Sequence, residues 1–159
     1  MDKKVIISIV AVAIAIIAIV TVALIMTTAP ENVEINLQAL DTAISQKEPF
    51  NKIATTNIDY SVLSQLYAID PDEYEEAIGK MPMTNVHASM YLVIKAKDGS
   101  VNKIKEKVQT YAGVQERTWS TYLPDQYQLV KQRKLGVRGN YVYLVIAESA
   151  AEIEELITK

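Results

Sequence analysis

One histidine, His87, stands in a chain of 159 residues that contains no cysteine. An imidazole in the run Asn85-Val86-His87-Ala88 has the chemistry of a general base or a metal ligand. Either role needs partners. A zinc site needs several His or Cys ligands, and a serine nucleophile is usually announced by a Gly-x-Ser-x-Gly turn. Neither pattern occurs. His87 is therefore read as a turn or strand-edge histidine. The alternative is a small hydrolase or transferase accessory using His87, Asn85 and a nearby carboxylate. No catalytic residue, metal or cofactor is assigned.

Carboxylates cluster at Asp70, Asp72, Glu73, Glu75 and Glu76. Oxygen-rich clusters bind calcium outside cells, but this spacing is not a calcium loop and lacks the glycine of its turn. A solvated acidic edge is expected. Lys131, Arg133, Lys134 and Arg138 place four positive charges within eight residues. They suit an anionic surface polymer or lipid headgroups, or simply protect a strand edge. Nine tyrosines accompany one phenylalanine. Trp119, Tyr122 and Tyr127 flank the Leu123-Pro124-Asp125 break, and aromatics with polar tips suit binding surfaces. Trp119 and Tyr111 are expected in the core. The candidate binding surface is Asn85, His87, Tyr122, Asp125, Tyr127, Lys131, Arg133, Lys134 and Arg138.

The elements that hold these residues begin after an apolar run. From Val5 to Met26, 20 of 22 residues are apolar, and no charge lies between Lys4 and Glu31. As a helix the run spans roughly 33 Å, matching a hydrocarbon core of about 30 Å. In lipid the backbone must satisfy its own hydrogen bonds, so helix wins over the strand preference of Ile and Val. Lys3 and Lys4 before the run place the N-terminus in the cytoplasm and the rest outside. A cleaved signal peptide would have a shorter apolar region, and Pro30 would follow the cut at Thr27-Thr28-Ala29. The reading is a cytoplasmic N-terminus (1–4), a transmembrane anchor (5–26), a short stem (27–36) and an extracytoplasmic domain (37–159).

That outer domain has ordinary globular composition and no disulfide to staple it, so its core must suffice. Asn36 and Asp59 are expected to cap two short helices. Tyr74–Met81 reads as an edge strand ending at Pro82. Val86–Lys97 reads as a strand with Met90, Leu92, Ile94 and Ala96 on one face. Val101, Ile104, Val108, Tyr111 and Trp119 recur at helical spacing, the clearest element in the chain. Tyr127–Arg133 reads as a strand. Tyr141–Ala147 is apolar on both faces and reads as a central strand. Ser149 and Glu152 suggest a capping box before a last helix. The fold expected is α+β: a mostly antiparallel sheet of about four strands with helices mainly on one face.

Four segments, taken in order, carry a resemblance. They are Met81-Pro82-Met83-Thr84-Asn85-Val86-His87-Ala88, Val93-Ile94-Lys95-Ala96-Lys97-Asp98-Gly99, Trp119-Ser120-Thr121-Tyr122-Leu123-Pro124-Asp125-Gln126-Tyr127 and Gly139-Asn140-Tyr141-Val142. Together they resemble the DUF4358 family over roughly residues 35–158. The resemblance implies a bacterial membrane-anchored outer domain of unassigned activity. It also implies a setting of surface-polymer modification, beside membrane-bound O-acyltransferases. Met90 departs from the acidic residue associated with the start of that strand, so a site built on that position is not carried over.

The function expected is therefore a non-enzymatic, anchored accessory domain that binds an envelope protein or an anionic surface polymer. A structural spacer is the third reading. Nucleic acid is disfavoured, because the outer domain carries 14 basic against 18 acidic residues.

Overall fold

Strand alternation and helix periodicity resolve into a sheet buried on both faces. A computed structural model describes residues 33–159. In chain order the elements are α1 (Leu37–Ser45), β1 (Thr55–Asn57), α2 (Tyr60–Tyr67), β2 (Tyr74–Pro82) and β3 (Met90–Ala96). Then follow α3 (Val101–Ser120), α4 (Pro124–Lys131), β4 (Lys134–Arg138), β5 (Tyr141–Ile146) and α5 (Ala150–Thr158). The strands form one antiparallel sheet in the order β1-β2-β3-β5-β4. The expected anchor, residues 5–26, lies outside the described residues. Among the described residues no helix is long and apolar enough to cross a membrane.

β3 and β5 decide the architecture. Six of the seven residues of β3 and all six of β5 are buried. Period-two alternation sends Met90, Leu92, Ile94 and Ala96 to one face, with Val142, Leu144 and Ile146. Tyr91, Val93, Tyr141, Tyr143 and Val145 go to the other. The first face packs on α2, α3 and Val130 of α4; the second packs on α1, Phe50 and α5. The expectation of helices mainly on one face is thus corrected to helices on both. The correction has a physical source: a strand apolar on both sides needs cover on both sides.

The sheet has five strands rather than about four. β1 is short and polar, so it carries no alternation to read. Its pairing with β2 moves β2 inside the sheet, and Pro82 is tolerated at the strand's end. The segment expected as a strand over Tyr127–Arg133 is mostly α4. Pro124 stands in its first turn with Asp125, and Lys131 closes its last turn. These are helix start and stop signals, and they outweigh the Tyr127/Leu129 alternation. The long strand expected over Val86–Lys97 begins only at Met90, because residues 83–89 form a loop.

The caps at Asn36 and Asp59 form as expected. The Asn36 side chain accepts from Ala39 N–H, and Asp59 accepts from Ser61 and Val62 N–H. The capping box at Ser149 does not form. Ser149 Oγ donates instead to the Glu48 carbonyl, and Glu152 pairs with Lys47 at 2.9 Å. Both contacts tie α5 to the chain after α1.

Where the chain enters the domain it is also held. Glu34 pairs with Lys95 at 2.9 Å and accepts the Tyr141 hydroxyl at 3.0 Å, while Ile35 N–H donates to Tyr141 Oη. The entry therefore sits at the Lys95 end of β3. Met90, at the other end, lies about 17 Å from Lys95 at roughly 3.4 Å per residue.

Close strand packing makes one glycine sensitive. A Cβ on Gly79 of β2 would stand 2.7 Å from the Tyr91 carbonyl oxygen, inside any real contact distance. We expect Gly79→Ala to destabilise the domain by about 1–3 kcal/mol through forced backbone movement. Urea unfolding of the purified domain measures this, and an unchanged midpoint would contradict the register.

Candidate functional site

α2 and α3 cover the same face of the sheet but differ in length. At about 1.5 Å per residue, the 8 residues of α2 span about 12 Å and the 20 of α3 about 30 Å. α2 ends at Ala68, whose left-handed backbone (φ 55°) turns the chain away. The Tyr67 and Tyr111 rings, 4.0 Å apart between centroids, mark the last close contact of the two helices' aromatic side chains. Beyond it, the second half of α3 stands over the sheet with the loop 83–89 opposite. The space between is a groove of about 480 Å³.

Trp119, Tyr111, Met90 and Ala88 form the buried part of the lining. Leu66, Met83 and Val114 line it too and are 48, 67 and 42% exposed. Gln65, Gln115, Thr84, Asn85 and His87 supply its polar atoms. Two hydrogen bonds fix the shape. Trp119 Nε1–H donates to Gln115 Oε1 at 3.1 Å, and Ala88 N–H donates to Gln126 Oε1 at 2.8 Å, tying the loop to α4. Tyr122, exposed outside the groove, places its ring 5.7 Å from Trp119.

Asn85 and His87 therefore share a cleft. The lining supplies no Asp, Glu, Ser, Cys or Lys to act beside them. Burial pushes the Tyr111 phenol up, keeping it a neutral donor. Thr84 is the one aliphatic hydroxyl in the lining, and no carboxylate among the lining residues orients the His87 imidazole as acyl-transfer chemistry needs. The arrangement can hold an apolar group and hydrogen-bond its margin. It contains no built proton relay.

The other candidates fall elsewhere. Asp125 is exposed in the first turn of α4, and Tyr127 lies half-buried with Lys131 Nζ 5.5 Å from its ring centroid. The four basic residues do not converge on one patch. Arg133 pairs with Glu116 of α3 at 2.8 Å, on the groove's side of the sheet. Lys134 pairs with Glu154 at 3.2 Å and Arg138 donates to the Ile157 carbonyl at 2.6 Å, both on α5 and the opposite face. The last contact sets a cation on the negative end of α5.

Glu73 departs from the solvated edge expected of the acidic run. It is 3% exposed. Its Oε2 meets Lys107 at 2.6 Å and accepts Asp70 N–H at 2.7 Å. Its Oε1 lies 2.8 Å from Lys103 as an ion pair without hydrogen-bond geometry. Asp70, Asp72 and Glu73 do bring their carboxylates within 4.8 Å of one another. Two ammonium groups already occupy the Glu73 carboxylate, so the cluster joins the start of β2 to α3 instead of offering an open cation site.

A second cluster joins residues far apart in sequence. Lys80 Nζ donates to Ser45 Oγ at 2.6 Å, and Tyr91 Oη donates to Asp41 Oδ1 at 2.6 Å. Serine beside lysine suggests a nucleophile and its base. The protons are in the wrong places. Ser45 donates its proton to the Asp41 carbonyl at 2.7 Å rather than to Lys80, and Lys80 lies 3.7 Å from Asp41 Oδ2 as an ion pair. The cluster pins α1 to β2 and β3.

The chain matches a family model over residues 48–147, well over half its length; the model describes a domain of unknown function, DUF4358. The chain belongs to the DUF4358 family. No curated protein and no solved structure matches it. The matched span contains every residue that lines the groove, so the groove belongs to the DUF4358 portion of the chain. α1 and α5 lie outside the matched span.

One signal in this DUF4358 sequence points to the groove. Between Ala54 and Ile69 the only charge is Asp59, and between Met81 and Ile94 there is no Asp, Glu, Lys or Arg. In a chain that is 22% charged, these two runs supply α2 and the 83–89 loop, which form two of the groove's sides.

Acid should weaken the fold through the Glu73 contact. Desolvation by burial pushes this carboxyl up, but Lys103, Lys107 and the Asp70 amide outweigh it and hold it at about 2. A depressed carboxylate stabilises the fold above its unfolded value, near 4.5, and that stability fades as pH falls towards 2. We expect Glu73→Gln to lower stability at pH 7 by about 2 kcal/mol, discounting for the exposed Lys103, and to flatten the loss between pH 4.5 and 2. Unfolding curves across that range measure it. A variant as acid-sensitive as the parent would exclude Glu73 as the cause.

Proposed function

We propose that this protein is a membrane-anchored extracytoplasmic binding module of a bacterial cell envelope, and that it holds another envelope protein through the groove between α2, α3 and the 83–89 loop. The apolar run of residues 5–26 supports the anchor, and Lys3 and Lys4 before it support an outward-facing domain. The observation that carries the binding role is the pairing of missing charge with exposed apolar surface. Leu66, Met83 and Val114 stand in solvent around one concavity lined without a single charged side chain. Val86, on the same loop, and Tyr122, against Trp119, extend the exposed apolar surface.

Charge depletion with Met, Trp and Tyr enrichment is the composition of the buried centre of protein interfaces. Isolated exposed apolar residues need no explanation, but a group of them around one cleft does. Arg133, Lys134 and Arg138 support a polymer-binding reading less well, since their charges are already committed to Glu116, Glu154 and the end of α5. His87 and Asn85 act here as hydrogen-bonding groups at the groove's margin.

The test is affinity capture of the full-length protein from its own membranes after mild cross-linking. Val114→Glu puts a charge in the groove wall at a position 42% exposed, so folding should be spared. We expect it to lower recovery of the specific partner at least tenfold with an unchanged melting temperature. His87→Gln keeps a polar group and should retain both capture and cellular phenotype. Loss of phenotype in His87→Gln with capture intact would favour an enzymatic role instead.

A further inference from the structure

Resting for its consequence on the docking role proposed above, we infer that Met83 is an oxidant-sensitive switch on the groove. A peroxide or hypohalous acid converts its thioether to the sulfoxide, and the altered wall docks its partner more weakly. With no cysteine in the chain, no thiol competes for such oxidants, and methionine is the sulfur they meet.

The three methionines among the described residues, Met81, Met83 and Met90, all line the groove. They are unequal targets. Met90 is 2% exposed, and its sulfur accepts the Tyr67 hydroxyl at 3.8 Å. Met81, in β2, is half-buried against the core. Met83 is 67% exposed. Its backbone is held, with Met83 N–H donating to the Ala54 carbonyl at 3.0 Å. The side chain is thus presented to solvent from a fixed point beside β1. An oxidant must reach the sulfur lone pair, so Met83 reacts first. With hydrogen peroxide that lone pair attacks one peroxide oxygen and the O–O bond breaks. The sulfur gives up two electrons and keeps that oxygen, and the other oxygen leaves with both protons as water.

The product changes the groove and spares the core. A sulfoxide is polar and chiral where the thioether was apolar and adaptable, a change that disrupts methionine-bearing interfaces. Docking buries the new oxygen, and a buried polar group is costly unless a donor reaches it. The side-chain amides of Gln65 and Asn85 line the same groove, so the oxygen also competes for the hydrogen bonds at its margin. Because Met83 stands in solvent, the fold itself should not respond. Oxidation of Met90 differs, since it would place a polar group in the core on the α3 face of the sheet.

In the experiment, the purified full-length protein is treated with hydrogen peroxide, quenched with catalase and mapped by peptide mass spectrometry. It is then offered to untreated membranes from cells that lack it, for cross-linked capture. We expect Met83 sulfoxide to form at least tenfold faster than Met90 sulfoxide. While Met83 alone is oxidised, the melting temperature should hold and partner recovery should fall at least fivefold. Met83→Leu, apolar but without sulfur, should keep its capture through the same treatment. The two epimer-specific methionine sulfoxide reductases, supplied with a dithiol, should restore capture by the parent. Oxidation of Met81 or Met90 as fast as Met83 would overturn the site. Full capture by the Met83 sulfoxide, with Val114→Glu still defective, would overturn the switch and leave the docking role standing. Capture unaffected by either change would overturn the docking role and the switch with it.

Discussion

Burial of β3 and β5 on both faces is the constraint on which the rest of the domain depends. Thirteen residues in two adjacent strands leave only Lys95 partly in water. Such strands cannot stand at a surface, so helices must close both sides. α1 and α5 close one side, joined by Lys47–Glu152 and by the Ser149 contact to Glu48. α2, α3 and α4 close the other, with Glu73 linking the start of β2 to α3. With no cysteine in the chain, that double burial holds the domain without any disulfide.

The groove follows from the same constraint met unevenly. α2 is less than half as long as α3, and the loop 83–89 is all that stands opposite the end of α3. Trp119 and Tyr111 bury themselves against the sheet there, while Leu66, Met83 and Val114 are left in solvent. A domain under selection for solubility alone would be expected to carry charged side chains at those positions, as it does along Lys103, Lys105 and Glu106 of α3. Affinity at such a face comes from a few well-packed anchors, with the surrounding contacts excluding water. The central claim is that this groove, and not a catalytic constellation, is the working part of the DUF4358 domain.

Much of the frame was legible in the sequence for identifiable reasons. The period of Val101 to Trp119, the alternation of Met90 to Ala96 and the caps at Asn36 and Asp59 are local signals, and each formed. β1 was not legible, because Thr-Thr-Asn has neither alternation nor apolar content. α4 was misread because Tyr127 and Leu129 alternate like a strand, although Pro124 and Lys131 marked a helix. The two-sided cover was present in Tyr141–Ala147 but not drawn from it. For the site, Asn85 and His87 were singled out together, while the groove around them was not legible. Leu66 and Val114 come from helices far apart in sequence and meet only through the tertiary fold. Glu73 looked like its acidic neighbours, and only its position against Lys103 and Lys107 distinguishes it.

Hydrogen exchange tests the central claim most directly. The full-length protein in its native membrane vesicles is compared with the same protein purified away from its partners, peptide by peptide, with matched pH and exchange times. The account predicts added protection in residues 83–89 and in the Tyr111–Trp119 part of α3, with β4 and the α4–β4 turn unchanged. Protection confined to Lys131–Arg138, or an exchange pattern identical in the two preparations, would contradict it.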